Sequence, residues 1–357
     1  MDRYEEYDHE RFDRPRRRTR PRTKDRPSHD DAVPGSVVTV DRGRYTCLVD
    51  GHLVTAMKSR PLGRKGVVVG DRVQLVGDVS GDDGSLARIV SVDERVTVLR
   101  RTADDDDPVE RVIVAHADQL VVVAALADPE PRRRLIDRAL VAAFVAGLDP
   151  LLCLTKSDLA DPEPLLAAYR PLGVPAVVTR QGGDLSEVRA RLAGRVSVLV
   201  GHSGVGKSTL VNALVPGTDR AIGHVNAVTG RGRHTSTSVL MLALPAPGPN
   251  PAESARLHAA VGNPAESARL HAAVGDGWII DTPGIRSFGL AHVDSKDLIA
   301  AFPDLDALTG DCPRGCSHGV SEPECGLDEA VVRGRTGAER VESFRRLLEA
   351  RERAEED

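Results

Sequence analysis

Apolar and polar positions follow three different periods along this chain, and each period predicts its own kind of element. Between Gly35 and about Arg101 the apolar residues come in short, partly alternating pieces: Ser36–Val40, Tyr45–Val49, Asp71–Val76 and Ala87–Val92. Runs of this length, rich in β-branched residues, predict half-buried strands. Asp50-Gly51 marks a hairpin turn, and Gly63, Gly66 and Gly70 break the middle of the region. About five strands in so short a stretch predict a small barrel of the oligonucleotide-binding (OB) type over residues 34–101.

From Leu120 the period changes. Leu120–Leu126 is a continuous apolar run, the pattern of a parallel strand buried on both faces. A helix is predicted from Arg132 to Ala146, then a strand at Pro150–Leu154, a helix near Leu165–Tyr169, a strand at Ala176–Thr179 and a helix from Leu185 to Leu192. The alternation continues through Val196–Val200 to Trp278–Ile280 and predicts a doubly wound α/β domain over residues 108–290. Asp104–Pro108 reads as a linker before it. Inside it, Asn250–Gly262 recurs residue for residue as Asn263–Gly275. Two copies are too few for a solenoid, so the reading is a duplicated surface insertion within 245–276, with a helical partner-binding arm as the alternative.

A third pattern closes the chain. From Ala338 to about Arg353, Val341, Phe344, Leu347 and Leu348 recur at helical spacing. That stripe is expected to pack on the preceding domain or the cysteine-rich loop. Arg340, Arg345 and Arg346 beside it are candidates for RNA contact or for solvent.

Composition adds limits rather than identity. The 357 residues allow two or three domains, and the net charge of -5 conceals a basic segment. Residues 1–33 hold Arg14, Arg16, Arg17, Arg18, Arg20 and Arg22 among prolines and acids, which predicts a disordered basic tail. It is either a solubility tail or an arm for RNA phosphates. Lys58, Arg60, Arg64 and Lys65 on the barrel leave the same choice between RNA and solvent. No stretch is long and apolar enough to cross a membrane, and Met1–Glu6 does not resemble a signal peptide, so the expected compartment is the cytoplasm. Of five cysteines, Cys47 and Cys153 sit in apolar runs and read as core.

Candidate chemistry begins at Gly201-His202-Ser203-Gly204-Val205-Gly206-Lys207-Ser208-Thr209, between an apolar strand and the helical run Leu210–Leu214. It fits the phosphate-binding pattern G-x4-G-K-S/T. Its glycines let backbone N–H groups form a concave nest at a helix N-terminus, where an anionic phosphate meets amides and dipole together. Lys207 is expected to reach the β/γ-phosphates as the catalytic cation, and Ser208 to hold Mg²⁺.

Thr155-Lys156-Ser157-Asp158 follows a buried strand, where α/β sheets place ligands. A carboxylate at Asp158 can accept two hydrogen bonds from the guanine N1–H and N2 amino edge, which adenine does not offer, while the Lys156 stem lies along the base. Helix capping by Ser157 or Asp158 is the plain alternative. Asp281-Thr282-Pro283-Gly284 then supplies a carboxylate for water-mediated Mg²⁺ contact and, at Gly284, an amide for a γ-phosphate oxygen. Between them, the glycine-rich loop Gly230–Thr237 offers Thr235 and Thr237 to the metal and His234 to the attacking water. His234 packing or binding RNA instead stays open. Three phosphate-site elements and a base reader indicate a GTPase.

The order is unusual, because T-K-x-D precedes the phosphate loop. A parallel sheet keeps its site when its chain is cut elsewhere and the ends rejoined, so a circular permutation is expected. With its G-H-S-G-V-G-K-S-T, G-R-H-T and D-T-P-G-I stretches, the chain resembles the ribosome small-subunit-dependent GTPase A family of late assembly factors. The resemblance implies a circularly permuted P-loop GTPase domain with an N-terminal OB-type barrel and a C-terminal zinc-binding helical domain over 291–357. It also implies GTP/GDP with Mg²⁺, and a small ribosomal subunit that accelerates turnover and offers its rRNA. The chain departs from the family's pattern at Thr155, where asparagine is usual, which implies the loss of one hydrogen bond in that loop. Ile285 stands where many GTPases place a water-orienting glutamine, so hydrolysis by the free protein should be slow.

Cys312, Cys316, His318 and Cys325 bring four soft donors into fourteen residues, matching a closed tetrahedral, structural zinc site. The resembled family has a zinc site here, with slightly different ligand spacing. The expected molecule is a cytoplasmic monomer that hydrolyses GTP in late maturation of the small subunit. The rival readings are a nucleotide-gated RNA-binding module with incidental hydrolysis and an ATP-using P-loop enzyme.

Overall fold

The computed structural model describes residues 29–63, 66–101, 111–216, 239–245, 274–282, 288, 290 and 293–352. The basic tail, Arg64 and Lys65, the linker at 104–108, the loop carrying His234, Thr235 and Thr237, nearly all of the duplicated insert, and Gly284 with Ile285 lie outside the described residues.

Five strands build the barrel: β1 (Val33–Asp41), β2 (Arg44–Val49), β3 (His52–Lys58), β4 (Arg72–Gly77) and β5 (Ala87–Val92). Their order is β1-β2-β3-β5-β4, and β1 also pairs with β4, closing the ring. Only β3 with β5 is parallel. This is the five-stranded OB arrangement. Val37, Cys47, Val54, Ala56, Val73, Leu75 and Ile89 fill the interior, so Cys47 is core as expected. β3 has no counterpart among the four runs picked out from the sequence. Its alternation is blurred because Leu53 and Met57 put apolar groups on the outer side of an otherwise inward Val54/Ala56 pattern.

β6 (Val98–Arg101) does not join the barrel. It forms a two-stranded ribbon with β7 (Arg111–Ala115), and Leu99 and Val114 pack into the α/β core. The barrel is fastened to this ribbon by a bridge between Val69 and Val114 and by the Ala115 amide donating to the Val69 carbonyl at 3.0 Å. Gly70 permits that approach, since a Cβ there would lie 2.0 Å from the Ala115 carbonyl oxygen.

The α/β sheet runs β10 (Ala176–Val178), β9 (Asp149–Thr155), β8 (Gln119–Ala125), β11 (Arg195–Val200), β13 (Val274–Asp281) and β12 (Leu240–Pro245), all parallel except β12. β8 is buried throughout, with Leu120, Val122 and Ala124 in the core on one face and Val121, Val123 and Ala125 in the core on the other. One face is covered by α1 (Arg133–Val145) and α2 (Glu163–Tyr169), the other by α3 (Ser186–Leu192) and α4 (Lys207–Leu214).

The C-terminal region packs on the α1 face. It comprises α5 (Ser295–Ala300), α6 (Pro303–Asp306), α7 (Gly326–Val332) and α8 (Ala338–Glu352). Val341, Phe344, Leu347 and Leu348 of α8 are each no more than 3% exposed in the same core as β8 and α1. The arginines beside that stripe are engaged within the chain rather than left to solvent. Arg340 pairs with Asp304 and donates to the Pro171 carbonyl, Arg345 is bidentate on Asp328, and Arg346 meets Asp137 and the Ala168 carbonyl. They are internal fasteners of α8.

The Arg340 guanidinium holds the Asp304 carboxyl below the usual aspartate range. Because the folded value is depressed, the pair stabilises the fold above the unfolded aspartate value, near 3.9, and that contribution fades as pH falls through the folded value. Replacing Arg340 with methionine should therefore cost ~0.2–1 kcal/mol through the half-exposed pair at neutral pH, and less in acid. A remainder should persist at low pH, because Arg340 also stacks on Phe302, 5.0 Å from the ring centroid. Urea denaturation of both proteins between pH 3 and 7 measures the difference; a gap that widens in acid contradicts the assignment.

Candidate nucleotide-binding and metal sites

The parallel strands deliver their carboxyl ends to one edge of the sheet. From β8 the chain moves outward through β9 to β10, then returns to the other side of β8 as β11 and continues to β13. Connections leave β8 and β11 in opposite directions, and this reversal opens the crevice where α/β sheets bind ligands. A shallow crevice lies there, lined by Val123, Pro129, Gly201, His202, Val205 and Phe288 among others.

The phosphate-loop segment Gly201–Gly206 leaves the end of β11. A Cβ on Gly201 would stand 2.5 Å from the Val123 carbonyl oxygen, so only glycine lets the turn pass so close to β8. Gly206 adopts φ +89°, in the left-handed region that glycine favours, and caps the N-terminus of α4. At the other end of α4, Arg189 donates to the Ala213 and Leu214 carbonyls at 3.0 Å each. The helix dipole has its positive end at the loop, and the Arg189 cation complements its negative end. Ser203, Gly204, Ser208 and Thr209 are exposed, Val205 is buried, and the His202 ring faces the Ser203 carbonyl at 2.8 Å.

Thr155 ends β9 and donates its hydroxyl to the Val205 carbonyl at 2.6 Å, with the Ala124 carbonyl farther off at 3.4 Å. Threonine thus makes a direct bond to the phosphate loop. Lys156, at φ +57°, places its ammonium on the Asp128 carbonyl. The Ser157 amide donates to the Thr179 carbonyl at 3.2 Å, and Asp158 is exposed. The segment Thr155–Asp158 therefore starts in contact with the residue two before Lys207 and projects its carboxylate into solvent.

Asp281 ends β13, and its carboxylate accepts from the Lys207 ammonium; the two side chains are 21% and 11% exposed. Thr282 donates to the Leu199 carbonyl of β11 at 2.7 Å. Three segments far apart in sequence thus meet at one edge of the sheet: 155–158, 201–209 and 281–282. Sequence reasoning missed two more loops at that edge. One is the turn after β10, whose Thr179 carbonyl supports Ser157; the other follows β8, where Asp128 receives Lys156. Their signal was positional, since both follow strands of the parallel sheet.

The second site lies between α6 and α7. The Nδ1 of His318 stands 3.6, 3.5 and 3.8 Å from the sulfurs of Cys312, Cys316 and Cys325, and all four donor atoms lie within 4.8 Å of one another. Tetrahedral zinc with Zn–S near 2.3 Å and Zn–N near 2.05 Å separates sulfur from nitrogen by about 3.6 Å, so the donor set fits that ion. Backbone amides of Gly326 and His318 donate to the sulfurs of Cys312 and Cys316, as they do for thiolates. Burial pushes the Cys312 thiol up and the Cys316 thiol up to about 11, and pulls the His318 imidazole down. A cation would reverse the thiol shifts, and the neutral imidazole is ready to act as a ligand.

Comparison with known proteins agrees with this architecture. A model of the RsgA GTPase family matches residues 92–249. The small ribosomal subunit biogenesis GTPase RsgA of Pseudomonas syringae pv. tomato is 38% identical over 292 residues, covering 79% of this chain and 74% of that protein. The chain belongs to the RsgA GTPase family. The protein of the same name from Ectopseudomonas mendocina is 42% identical over 245 residues, 66% of this chain and 62% of that one. The chain matches about three fifths of the length of several such relatives, 62% to 63%. Among solved structures, YjeQ from Thermotoga maritima aligns with a TM-score of 0.61 at 24% identity, covering 89% of this chain and 98% of that one. YloQ, described as a circularly permuted GTPase, aligns at 0.59 and 22% identity, covering 92% and 99%. These two likenesses support the fold, and the second names the permutation that the motif order predicts.

Proposed function

We propose that the protein hydrolyses GTP and acts in biogenesis of the small ribosomal subunit. The observation that carries the reading is the bond from Thr155 to Val205 together with the Lys207–Asp281 pair, which gather base, phosphate and metal motifs at one sheet edge. Asp158 reads guanine. Gly201 through Thr209 cradle the phosphates with backbone amides, and Lys207 supplies positive charge where negative charge grows during transfer of the γ-phosphoryl group. Ser208, and Asp281 through a water molecule, would hold Mg²⁺, which would neutralise phosphate charge. Thr235, Thr237, Gly284 and His234 complete the site in this proposal, His234 by orienting water.

Cys312, Cys316, His318 and Cys325 hold one structural zinc ion. The names of the relatives support the ribosomal role: this chain acts on the small subunit and its rRNA as a cytoplasmic monomer, with the barrel and zinc module as docking elements. No helix among the described residues is long and apolar enough to cross a membrane.

Multiple-turnover phosphate release with GTP and ATP side by side, each with and without purified small subunits, tests the proposal. Slow basal GTP turnover, stimulation by the subunit of at least tenfold and no comparable use of ATP are expected. Equal use of ATP removes the guanine assignment, and GTP binding without stimulation leaves a nucleotide-gated RNA-binding module instead.

A further inference from the structure

The peptide that joins Ser203 to Gly204 lies between two fixed points of the phosphate loop, and both residues are exposed. Before it, the close approach of Gly201 to the Val123 carbonyl admits no side chain. After it, Val205 is 5% exposed and its carbonyl accepts the 2.6 Å bond from Thr155. The four residues His202–Val205 form a turn closed by a long bond, 3.5 Å from the Val205 amide to the His202 carbonyl. Of its two central residues only Gly204 has a positive φ, +84°. That is the type II form. A Cβ on Gly204 would meet only Pro129, at 3.5 Å, so conformation and not crowding calls for glycine here.

Type II and type I turns differ by rotation of the central peptide through about 180°, with the flanking residues left in place. Glycine accepts both forms, so Gly204 by itself selects neither. The choice has a chemical consequence, because a trans peptide points its carbonyl and its N–H in opposite directions. One orientation turns the Gly204 N–H towards a bound phosphate; the other turns the Ser203 carbonyl there, dipole against like charge. A side chain breaks the tie. The Nδ1 of His202 stands 2.8 Å from the Ser203 carbonyl oxygen. A carbonyl oxygen only accepts, so Nδ1 carries a proton and donates. Rotating the central peptide would take that acceptor away from the ring.

We propose that His202 is a positioning residue for GTP hydrolysis: by holding the Ser203 carbonyl, it keeps the Gly204 N–H turned into the phosphate nest. The inference rests on the GTP-hydrolysing reading above. In that reaction the oxygen of water bonds to the γ-phosphorus while the bond from that phosphorus to the β–γ bridging oxygen breaks. The electron pair stays on the bridging oxygen, which becomes a terminal oxygen of GDP. One water proton stays with the released phosphate and the other leaves to solvent. Negative charge therefore grows on the bridging oxygen. A fixed N–H aimed at it stabilises the transition state and GDP more than it stabilises GTP. His202 acts through the peptide and touches neither nucleotide nor metal.

Single-turnover hydrolysis by the full chain tests this, together with titrations of GDP and of the γ-thio analogue of GTP, which keeps the bridging oxygen. His202→Ala and His202→Phe, the second keeping a ring without a donor, should each slow the chemical step about five- to tenfold and weaken GDP by a similar factor. Affinity for the analogue should stay within about twofold of the parent. His202→Asn carries an amide nitrogen at the position of Nδ1 and should restore rate and GDP affinity to within about twofold. His202 is half-exposed, and a cooperative melt establishes that each variant is folded; where alanine is not, phenylalanine carries the test. Parent-like rates in the donorless variants, equal weakening of GDP and the analogue, or an asparagine variant no better than alanine overturns the role of His202 and leaves GTP hydrolysis in place. A parent that neither binds nor hydrolyses GTP overturns the nucleotide reading, and this role with it.

Discussion

Asp158→Asn is expected to lower GTP affinity by roughly a hundred- to ten-thousandfold, because two hydrogen bonds to a charged acceptor contribute ~1.5–3 kcal/mol each. An asparagine amide presents a donor where guanine also presents one. Xanthine carries a carbonyl in place of the 2-amino group, so xanthosine triphosphate should bind the variant better than the parent. Folding should be unaffected, since Asp158 is exposed and its carboxylate makes no hydrogen bond with the described residues that the fold needs. Competition titrations with GTP and xanthosine triphosphate measure both changes. A variant that keeps the parent's preference for GTP removes Asp158 from base recognition and leaves Ser157 and Asp158 as loop residues only.

Cys325→Ser should have the largest effect on stability. Cys325 is 2% exposed, stands at the N-cap of α7, and shares its core with Leu327, Val341 and Phe344. Structural zinc contributes ~10–16 kcal/mol of binding free energy at neutral pH in small peptide sites, part of which is folding free energy here. Loss of the ion should expose the loop from Cys312 to Cys325 and loosen α7. About 3–5 kcal/mol of global stability should disappear with it, a fall in Tm of roughly 4–7 °C for a chain of this size. Metal analysis should fall from one zinc per chain to near zero. Cys153→Ala serves as the control: Cys153 is fully buried in the sheet core, away from the cluster, and its loss should leave zinc content unchanged. A Cys325→Ser protein that retains its zinc and its Tm contradicts the assigned ligand set.

The parts of this protein that were legible in the sequence share a physical property: their chemistry is local. A nest of amides needs glycines within a few residues of a helix start, and Gly201–Ser208 states that need in nine consecutive letters with Thr209. Four donors can close on one ion when a loop of fourteen residues carries them, as Cys312–Cys325 does. A strand buried on both faces shows as an unbroken apolar run, so β8 was recognisable from Leu120–Leu126. The motif order alone foretold the permutation, because sheet order is indifferent to where the chain begins.

Long-range pairing decided the rest. Nothing around Thr155 announces that its hydroxyl will reach the Val205 carbonyl, fifty residues on, or that Lys207 will lie against Asp281. The reversal of direction between β8 and β11 brings these groups together, and it exists only once the sheet is assembled. Val98–Arg101 falls within the span assigned to the barrel, yet Leu99 lies in the α/β core; burial there, and not propensity, chose the partner of β6. The arginines of α8 looked like a free basic face, yet Asp304, Asp328 and Asp137 come from three other helices to meet them. Sequence alone determined which atoms this chain can offer to phosphate, base and metal. The tertiary structure alone determined which of them share a site, because contact between distant residues depends on packing that no local pattern encodes.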